Sequence, residues 1–320
     1  TTAVAVSGEL LAKAEGLLEQ DIHPSATIRG YSTAADRARE EIDDIAREVD
    51  PEDEALLRKV AETAMTGKGA EIDKEMLAEL VVEAVRQVAV EEDGDITVDT
   101  DLIDIFTQKG RSVAESEVLP GAVVDKDPVH DDMPEEVDDG NILLLNDSLE
   151  VGDTDVDVDV TVDSPEQLDK FIEKEERELE EKVQKVKDVG ANVVFCQKGT
   201  DDLVEHYFAR EGILVVRRVM KGDMGYLNDV LGVPIVEDLD SATADDIGHG
   251  TVKRDRSGDI EDDYLFYVQG DADSVESVTL ILRGSTNHVV DELERGVNDA
   301  LQVVAHTLSD GRVLPGGGAV

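Results

Sequence analysis

Apolar residues recur at helical spacing through the first ninety positions of the chain. Valine and leucine at intervals of three and four predict a helix over residues 3–19, which Pro24 separates from the next one. Further helices are expected over about 25–49 and over 73–90. Another is expected from Pro51 onward, because proline suits the first turn of a helix. This part of the chain is therefore predicted to be mostly helical.

The pattern changes after residue 96 to short extended runs that are separated by glycine, proline and aspartate. Strands are expected over residues 103–106, 122–124 and 142–145. A cluster of turn-forming residues around Pro120 indicates a domain boundary between the first two of these runs.

Valine alternates with aspartate over residues 151–163, which predicts a strand with the valines on one face and the aspartates on the other. Spaced aspartates also occur in calcium sites, but a calcium loop must turn back on itself, usually at glycine. No glycine interrupts the alternation from residue 155 to 163, so a solvated strand face is favoured over a metal site.

The clearest helix start is Ser164-Pro165-Glu166-Gln167, where serine can cap, proline fits the first helical position and glutamine can complete a capping box. With Gly190 as its stop, this helix would extend about 37 Å at 1.5 Å per residue. Charged residues replace the apolar stripe between Ile172 and Leu179. Part of the helix is therefore predicted to project into solvent, and an ordinary surface helix is the alternative.

Strands and helices alternate after Gly190, which is typical of an α/β layer with parallel strand pairing. The expected elements are strands over 192–196, 213–219 and 233–236 and a helix over 201–210, with a further helix before the last strand. The segment after the strand at 196 lacks the glycine pattern that cradles phosphate, so nucleotide binding there is not favoured.

A strand over residues 278–282 leads into a long helix over about 287–308. Six apolar residues form its buried stripe: Val290, Leu293, Val297, Leu301, Val304 and Leu308. Asp299 lies two residues after Val297, about 200° around the helix, and is predicted to point away from that stripe. By itself it is typical of a solvated surface acid.

The composition is strongly acidic: the 320 residues include 77 Asp and Glu but only 30 Lys and Arg, a formal net charge of −47. The negative electrostatic field of such a chain repels phosphate, which excludes nucleic-acid binding by bulk electrostatics. The acidic residues are spread over nearly every segment, which favours a protein adapted to concentrated salt, where charge is screened. An acidic surface that holds a basic partner is the alternative.

The remaining bulk properties indicate a folded cytoplasmic protein of two or three domains. No apolar run approaches the roughly 20 residues that a membrane span requires. Cys196 is the only cysteine, so no internal disulfide can form, and no signal-like segment opens the sequence. The chain starts at Thr1 and stops within a glycine-rich turn, and we expect it to be an internal fragment.

Residues at opposite ends of the chain carry the candidate chemistry. Thr1 and Thr2 open the first helix, where backbone N–H groups and hydroxyls can receive a phosphate. The glycine triplet 316–318 lets backbone approach a ligand closely. Asp299 can order an attacking water as a general base. Each of these signals is weak alone. A glycine triplet, for example, is more often just a turn.

Taken together and in order, these residues resemble the group II chaperonins, specifically the archaeal thermosome subunits, over essentially the whole chain. The most specific stretches are GANVVFCQKG at 190–199, VRRV at 216–219, NDAL at 298–301 and PGGGA at 315–319. With this resemblance, the acidity indicates a member from a halophilic archaeon.

The resemblance implies a multidomain α+β fold with a mostly helical equatorial part, a mixed intermediate hinge domain and an α/β apical domain that carries a protruding long helix. The implied boundaries are 1–50 for the partial equatorial domain, 51–118 and 278–310 for the two halves of the intermediate domain, 119–277 for the apical domain with its protrusion at about 150–187, and 311–320 for the start of the returning equatorial segment.

The resemblance also implies roles for individual residues. Thr1 and Thr2 correspond to the end of a phosphate-binding loop, Gly316, Gly317 and Gly318 to a turn beside the nucleotide, Asp299 to the acid that activates the hydrolytic water, and Lys68 to a lysine that senses the nucleotide. The protrusion, a built-in lid, would include Ser164, Pro165, Leu168, Phe171 and Ile172. The family's magnesium-linked aspartate would lie upstream of Thr1, so no metal ligand is expected within the fragment.

The function implied is that of an ATP-dependent chaperone. ATP with Mg²⁺ and K⁺ would drive a stacked double ring of identical or paralogous subunits to enclose non-native proteins and assist their folding. The intact subunit would be an ATPase, and the fragment alone would be inactive. A nucleotide-independent holdase, which binds unfolded protein through the apical domain, is the alternative. An acidic enzyme with a small-molecule substrate is disfavoured, because no histidine or cysteine constellation converges.

Overall fold

The structure is a computed structural model of the 320-residue chain. It describes residues 2–67, 73–151, 165–256, 264–271 and 277–316. The chain divides into two compact units, of which the first is Thr1–Asp53 with Asp310–Val320 and the second is Glu54–Ser309.

The described helices and strands are as follows. The helices are α1 (Thr2–Glu19), α2 (Pro24–Ile45), α3 (Glu54–Ala64), α4 (Lys74–Gln87), α5 (Pro165–Val189), α6 (Asp202–Arg210), α7 (Lys221–Leu231) and α8 (Asn287–Asp310). The strands are β1 (Arg47–Glu48), β2 (Ala89–Glu92), β3 (Asp95–Val98), β4 (Ile103–Lys109), β5 (Glu117–Pro120), β6 (Ala122–Asp125), β7 (Glu136–Leu145), β8 (Val193–Cys196), β9 (Leu214–Val216), β10 (Ile247–Arg256), β11 (Tyr264–Gly270), β12 (Val278–Gly284) and β13 (Arg312–Val313).

The first unit contains α1, α2 and a short strand pair. The helix predicted to reach residue 49 ends at Ile45 instead, because the next residues form β1, which pairs antiparallel with β13. Two further bonds support this pairing: the amide of Val49 donates to the carbonyl of Gly311 over 2.8 Å, and Arg312 donates to the Asp43 carboxylate over 2.9 Å. The chain segment that precedes the glycine triplet is thereby tied to the end of α2.

A three-stranded sheet with order β4-β12-β5 forms one part of the second unit. The central strand β12 runs parallel to β4 and antiparallel to β5, and all its residues are buried. The buried stripe predicted for α8 is confirmed at every position. The helix predicted over 73–90 ends at Gln87, because the chain continues into the β2–β3 hairpin, whose turn at Asp93 and Gly94 has positive φ.

A six-stranded sheet with order β6-β11-β10-β7-β8-β9 forms the other part of the second unit. The predicted parallel pairing is confirmed for β7, β8 and β9. The strand predicted over 233–236 contributes only a single bridge, between Val236 and Leu145. The pattern did not indicate β10 and β11, which pair antiparallel with each other and make the sheet mixed. Its core includes Phe195 and Phe266, whose rings meet edge to face at 6.5 Å.

Candidate functional site

The long helix α5 has an anchored half and an exposed half. Leu179, Val183 and Val186 on its C-terminal half are buried in the core of the six-stranded sheet. None of residues 169–178 is buried. Gly190 ends the helix at a φ of +91°, a conformation that glycine adopts without strain. The exposed half therefore extends beyond the core, as the loss of the apolar stripe predicts.

Two of the five residues predicted for the protrusion have described side chains. Phe171 and Ile172 lie on the exposed half of α5, and each is 43% exposed. Pro165 and Leu168 lie in the first turn of α5 and are described through their backbone only. Ser164 lies outside the described residues, as does most of the valine–aspartate alternation.

Polar contacts fix the C-terminal half of α5 to its surroundings. Lys182 donates to the carbonyl of Ser148 over 2.7 Å, and Lys185 pairs with Asp240. These bonds attach one face of the helix to the segments that contain Ser148 and Asp240. The C-terminal half of α5 is thus held in place, and the exposed half continues from it.

An open cleft of about 180 Å³ lies between α5 and α6. Its lining is amphipathic and consists of Glu180, Val183, Gln184, Lys187, Tyr207, Arg210 and Glu211. The guanidinium of Arg210 lies 5.6 Å from the centre of the Tyr207 ring, and Lys187 pairs with Glu211. The sequence pattern did not indicate this cleft, because helical spacing shows which face of α6 is exposed but not which helix lies beside it.

Asp299 lies on the exposed face of α8, next to the buried residues Ala300 and Leu301. Its orientation agrees with its angular offset from Val297. The buried residues on the opposite face of α8 hold the backbone at this position in the core.

The other predicted nucleotide residues lie at the limits of the described ranges. Thr2 is the first residue of α1, and Gly316 is exposed, with no atom within 4 Å of the position that a Cβ would occupy. Thr1, Gly317, Gly318 and Lys68 lie outside the described residues. The roles assigned to all these residues stay predictions.

The histidines do not assemble a metal centre in the described part of the chain. His206 is exposed on α6, and its ring centre lies 5.7 Å from that of His130. Within the described ranges, no group of three or more histidine, cysteine or acidic side chains is arranged to hold a metal ion. The helices in those ranges also include none that is both long and apolar enough to cross a membrane.

Comparison with known proteins identifies relatives over the whole chain. The model of the TCP-1/cpn60 chaperonin family matches residues 1–320. The chain is 59% identical to thermosome subunit 2 of Haloferax volcanii and 58% identical to thermosome subunit beta of Halobacterium salinarum, in both cases over 100% of its own length. It is also similar to the open-state monomer of a group II chaperonin from Methanococcoides burtonii, with a TM-score of 0.73 and 40% identity.

The chain covers only part of the length of each of these relatives. The chain spans 57% of the length of each of the two thermosome subunits. The structural match covers 99% of this chain and 72% of the Methanococcoides protein. Both halophilic relatives agree with the acidity of this sequence. Because the family model matches every residue and the fold agrees with a solved group II chaperonin, the chain belongs to the TCP-1/cpn60 chaperonin family.

Proposed function

We propose that the intact protein is a subunit of an ATP-dependent group II chaperonin that encloses non-native proteins in a ring chamber and assists their folding. Membership of the chaperonin family over residues 1–320 is the observation that carries this proposal. The subunits would be identical or paralogous copies in a stacked double ring. The acidity agrees with a protein that functions in concentrated cytoplasmic salt, where a net charge of −47 is screened.

The domain division that we propose follows the family. Residues 1–50 and 311–320 would be equatorial, 51–118 and 278–310 intermediate, and 119–277 apical. The six-stranded sheet would then be the scaffold of the apical domain, and the three-stranded sheet would belong largely to the intermediate domain.

The ATPase chemistry would combine phosphate contacts with an activated water. Thr1, Thr2 and the glycines 316–318 would contact the nucleotide, and Asp299 would orient and deprotonate the attacking water. Lys68 would respond to the γ-phosphate. Phosphoryl transfer depends mainly on positioning and charge neutralisation, so Mg²⁺ and K⁺ would be required, with the magnesium-linked aspartate upstream of Thr1.

The exposed half of α5 would be the lid. Phe171 and Ile172 present apolar side chains to solvent on a helix whose other half is packed into the core. Exposed apolar side chains on a projecting element can contact the same element of neighbouring subunits when the protrusions come together. This supports a built-in lid, for which no separate cap protein would be needed.

Client proteins would bind in part at the cleft between α5 and α6. Tyr207 supplies an apolar ring with a polar end, and Val183 lies beside it. Modest amphipathic sites suit a chaperone that must bind many sequences weakly. The same cleft would serve the alternative function, a holdase that shields unfolded protein without nucleotide.

Electron microscopy of the full-length protein in molar KCl, with and without ATP, tests the proposal. We expect a double ring that is open without nucleotide and closed while ATP is hydrolysed, and we expect a denatured client to regain activity only when ATP is present. An assembly that suppresses client aggregation equally well without ATP, and that never closes, would support the holdase instead.

A further inference from the structure

Two segments connect the proposed protrusion to the six-stranded sheet: residues 146–150, which follow β7, and the C-terminal half of α5. We call residues 146–150 the entry segment. Its backbone stays bonded to the surrounding chain, because the amide of Asn146 donates to the carbonyl of Val236 over 2.7 Å and the amide of Leu149 donates to that of Gly199 over 3.0 Å. The entry segment therefore continues the edge of the sheet for a few residues.

The two segments are anchored by different forces. The C-terminal half of α5 buries Leu179, Val183 and Val186 in the core, whereas Leu149 is the one buried residue of the entry segment. The stabilisation from apolar burial grows with the area removed from water, so it holds α5 more firmly than the entry segment. The position of the entry segment thus depends more on polar contacts.

Asp147 makes several of these contacts. Its Oδ1 accepts a hydrogen bond from the amide of Ser148 over 2.7 Å, and its Oδ2 accepts one from the amide of Leu239 over 3.2 Å. Its carbonyl accepts one from the thiol of Cys196 over 3.1 Å. Burial raises the pKa of the Cys196 thiol to about 11, so the thiol keeps the proton that this bond requires. Asp147 thereby joins the entry segment to β8 and to residue 239.

The turn that begins at Leu239 also contacts α5. Its Asp240 pairs with Lys185 of α5. On the other side, Lys182 of α5 donates to the carbonyl of Ser148 over 2.7 Å. These contacts form a closed circuit, which runs from the entry segment through the turn to α5 and back to the entry segment.

The links of this circuit differ in strength. The side chains of Lys185 and Asp240 are 43% and 69% exposed, and exposed ion pairs contribute little to stability, especially where salt screens them. Asp147 is half-buried, and both of its carboxylate oxygens accept from backbone amides. Such charge-assisted bonds are stronger than neutral ones. Loss of the Asp147 carboxylate should therefore open the circuit.

We propose that Asp147 is a positioning residue that holds the entry segment against α5, so that both ends of the protrusion move together with the six-stranded sheet. Asparagine at this position would keep the size of the side chain but offer one acceptor oxygen, so the amide of Ser148 or of Leu239 would face an NH₂ group. The circuit itself lies within this chain. Its consequence for a lid rests on the proposed function.

Native-state hydrogen exchange of the full-length subunit in molar KCl, followed by mass spectrometry at single-residue resolution, tests the circuit. The amides of Asn146 and Leu149 report on the entry segment, and neither is bonded to Asp147. The amide of Phe195, on a strand between two others, reports on the sheet. The test variant is Asp147→Asn. The matched control is Asp131→Asn, which removes the same charge at an exposed position outside the circuit.

We expect Asp147→Asn to exchange at Asn146 and Leu149 at least about fivefold faster than the parent, with exchange at Phe195 unchanged, because the entry segment opens without unfolding of the sheet. Asp131→Asn should match the parent throughout. A smaller acceleration at Asn146 and Leu149 would overturn the proposal. Equal acceleration at Phe195 would also overturn it, since Asp147 would then stabilise the whole domain and position nothing in particular.

A second variant covers the case in which Asp147→Asn does not fold. Lys182→Met removes the bond to the carbonyl of Ser148 and keeps the aliphatic stem of the side chain on α5. It breaks the same circuit from the other side, so exchange at Asn146 and Leu149 should accelerate by the same factor, again with Phe195 unchanged. The same two outcomes would overturn the proposal.

Protection of a bound client from protease in the presence of ATP tests the consequence for the lid. Asp147→Asn should hydrolyse ATP at the parent's rate but protect the client less than half as well. Protection equal to the parent's, or a parallel loss of hydrolysis and protection, would overturn the positioning role. A parent that protects no client would contradict the proposed function instead, and hydrogen exchange would still decide whether Asp147 holds the entry segment.

Discussion

Replacing Asp299 by asparagine in the full-length subunit separates its proposed role from the fold. The side chain is exposed and its helix is held by the buried stripe on the opposite face, so the change removes a negative charge but no packing. Exposed substitutions of this kind alter the free energy of unfolding by less than about 0.5 kcal/mol, and asparagine and aspartate have similar helix propensities. The structure therefore predicts normal folding and ring assembly.

The effect on ATP hydrolysis should be much larger. A positioned general base contributes about 10²- to 10⁴-fold to a rate, which corresponds to roughly 3–5 kcal/mol in the activation barrier. The assay is steady-state phosphate release in molar KCl, together with equilibrium binding of ATP. We expect Asp299→Asn to bind ATP with nearly unchanged affinity and to hydrolyse it at least a hundredfold more slowly.

The matched control is Asp291→Asn, which changes another exposed aspartate on α8. It should retain the parent's turnover. If Asp299→Asn hydrolyses ATP at the parent's rate, Asp299 is not the base. If both variants lose turnover equally, or if Asp299→Asn fails to assemble, the effect arises from the helix and not from the reaction.

Three further predictions concern the core, a partly buried carboxylate and the protrusion. Phe195→Ala should lower the free energy of unfolding by about 3–5 kcal/mol in urea titrations, because it opens a cavity at a fully buried position and loses the edge contact with Phe266. Burial, reinforced by the nearby Asp223, raises the pKa of Asp104 above 3.8. The folded state then keeps a proton that the unfolded state loses, so this group's contribution to stability falls as pH rises through its folded pKa. In thermal melts Asp104→Asn should be stabilising at pH 7, and a gain that persists below pH 3.8 would contradict this reasoning. Deletion of residues 151–186 from the full-length subunit should spare ATP hydrolysis but leave the chamber open, and full client encapsulation by this variant would refute the lid.

Local pattern predicted the parts of this fold that depend on neighbouring residues. The buried stripe of α8, the start of α5 at Pro165 and its end before Gly190 follow from helical periodicity and from capping, which act over one or two turns. The exposed position of Asp299 follows from the same geometry, since each residue advances about 100° around a helix. Alternation of strands and helices indicated the parallel strands β7, β8 and β9 for a comparable reason.

Contacts between distant segments were decided only by the tertiary structure. The strand pair β1–β13 shortens α2 although nothing around residues 46–49 indicates a strand, because its partner lies at residues 312–313. The antiparallel strands β10 and β11 gain their stability from pairing with each other and with β6 and β7. The cleft beside Tyr207 depends on how α5 packs against α6. Arg283 shows the same limit most clearly, because its partners at 108, 115 and 117 lie far before it in the chain and come together around its buried side chain only when the three-stranded sheet forms.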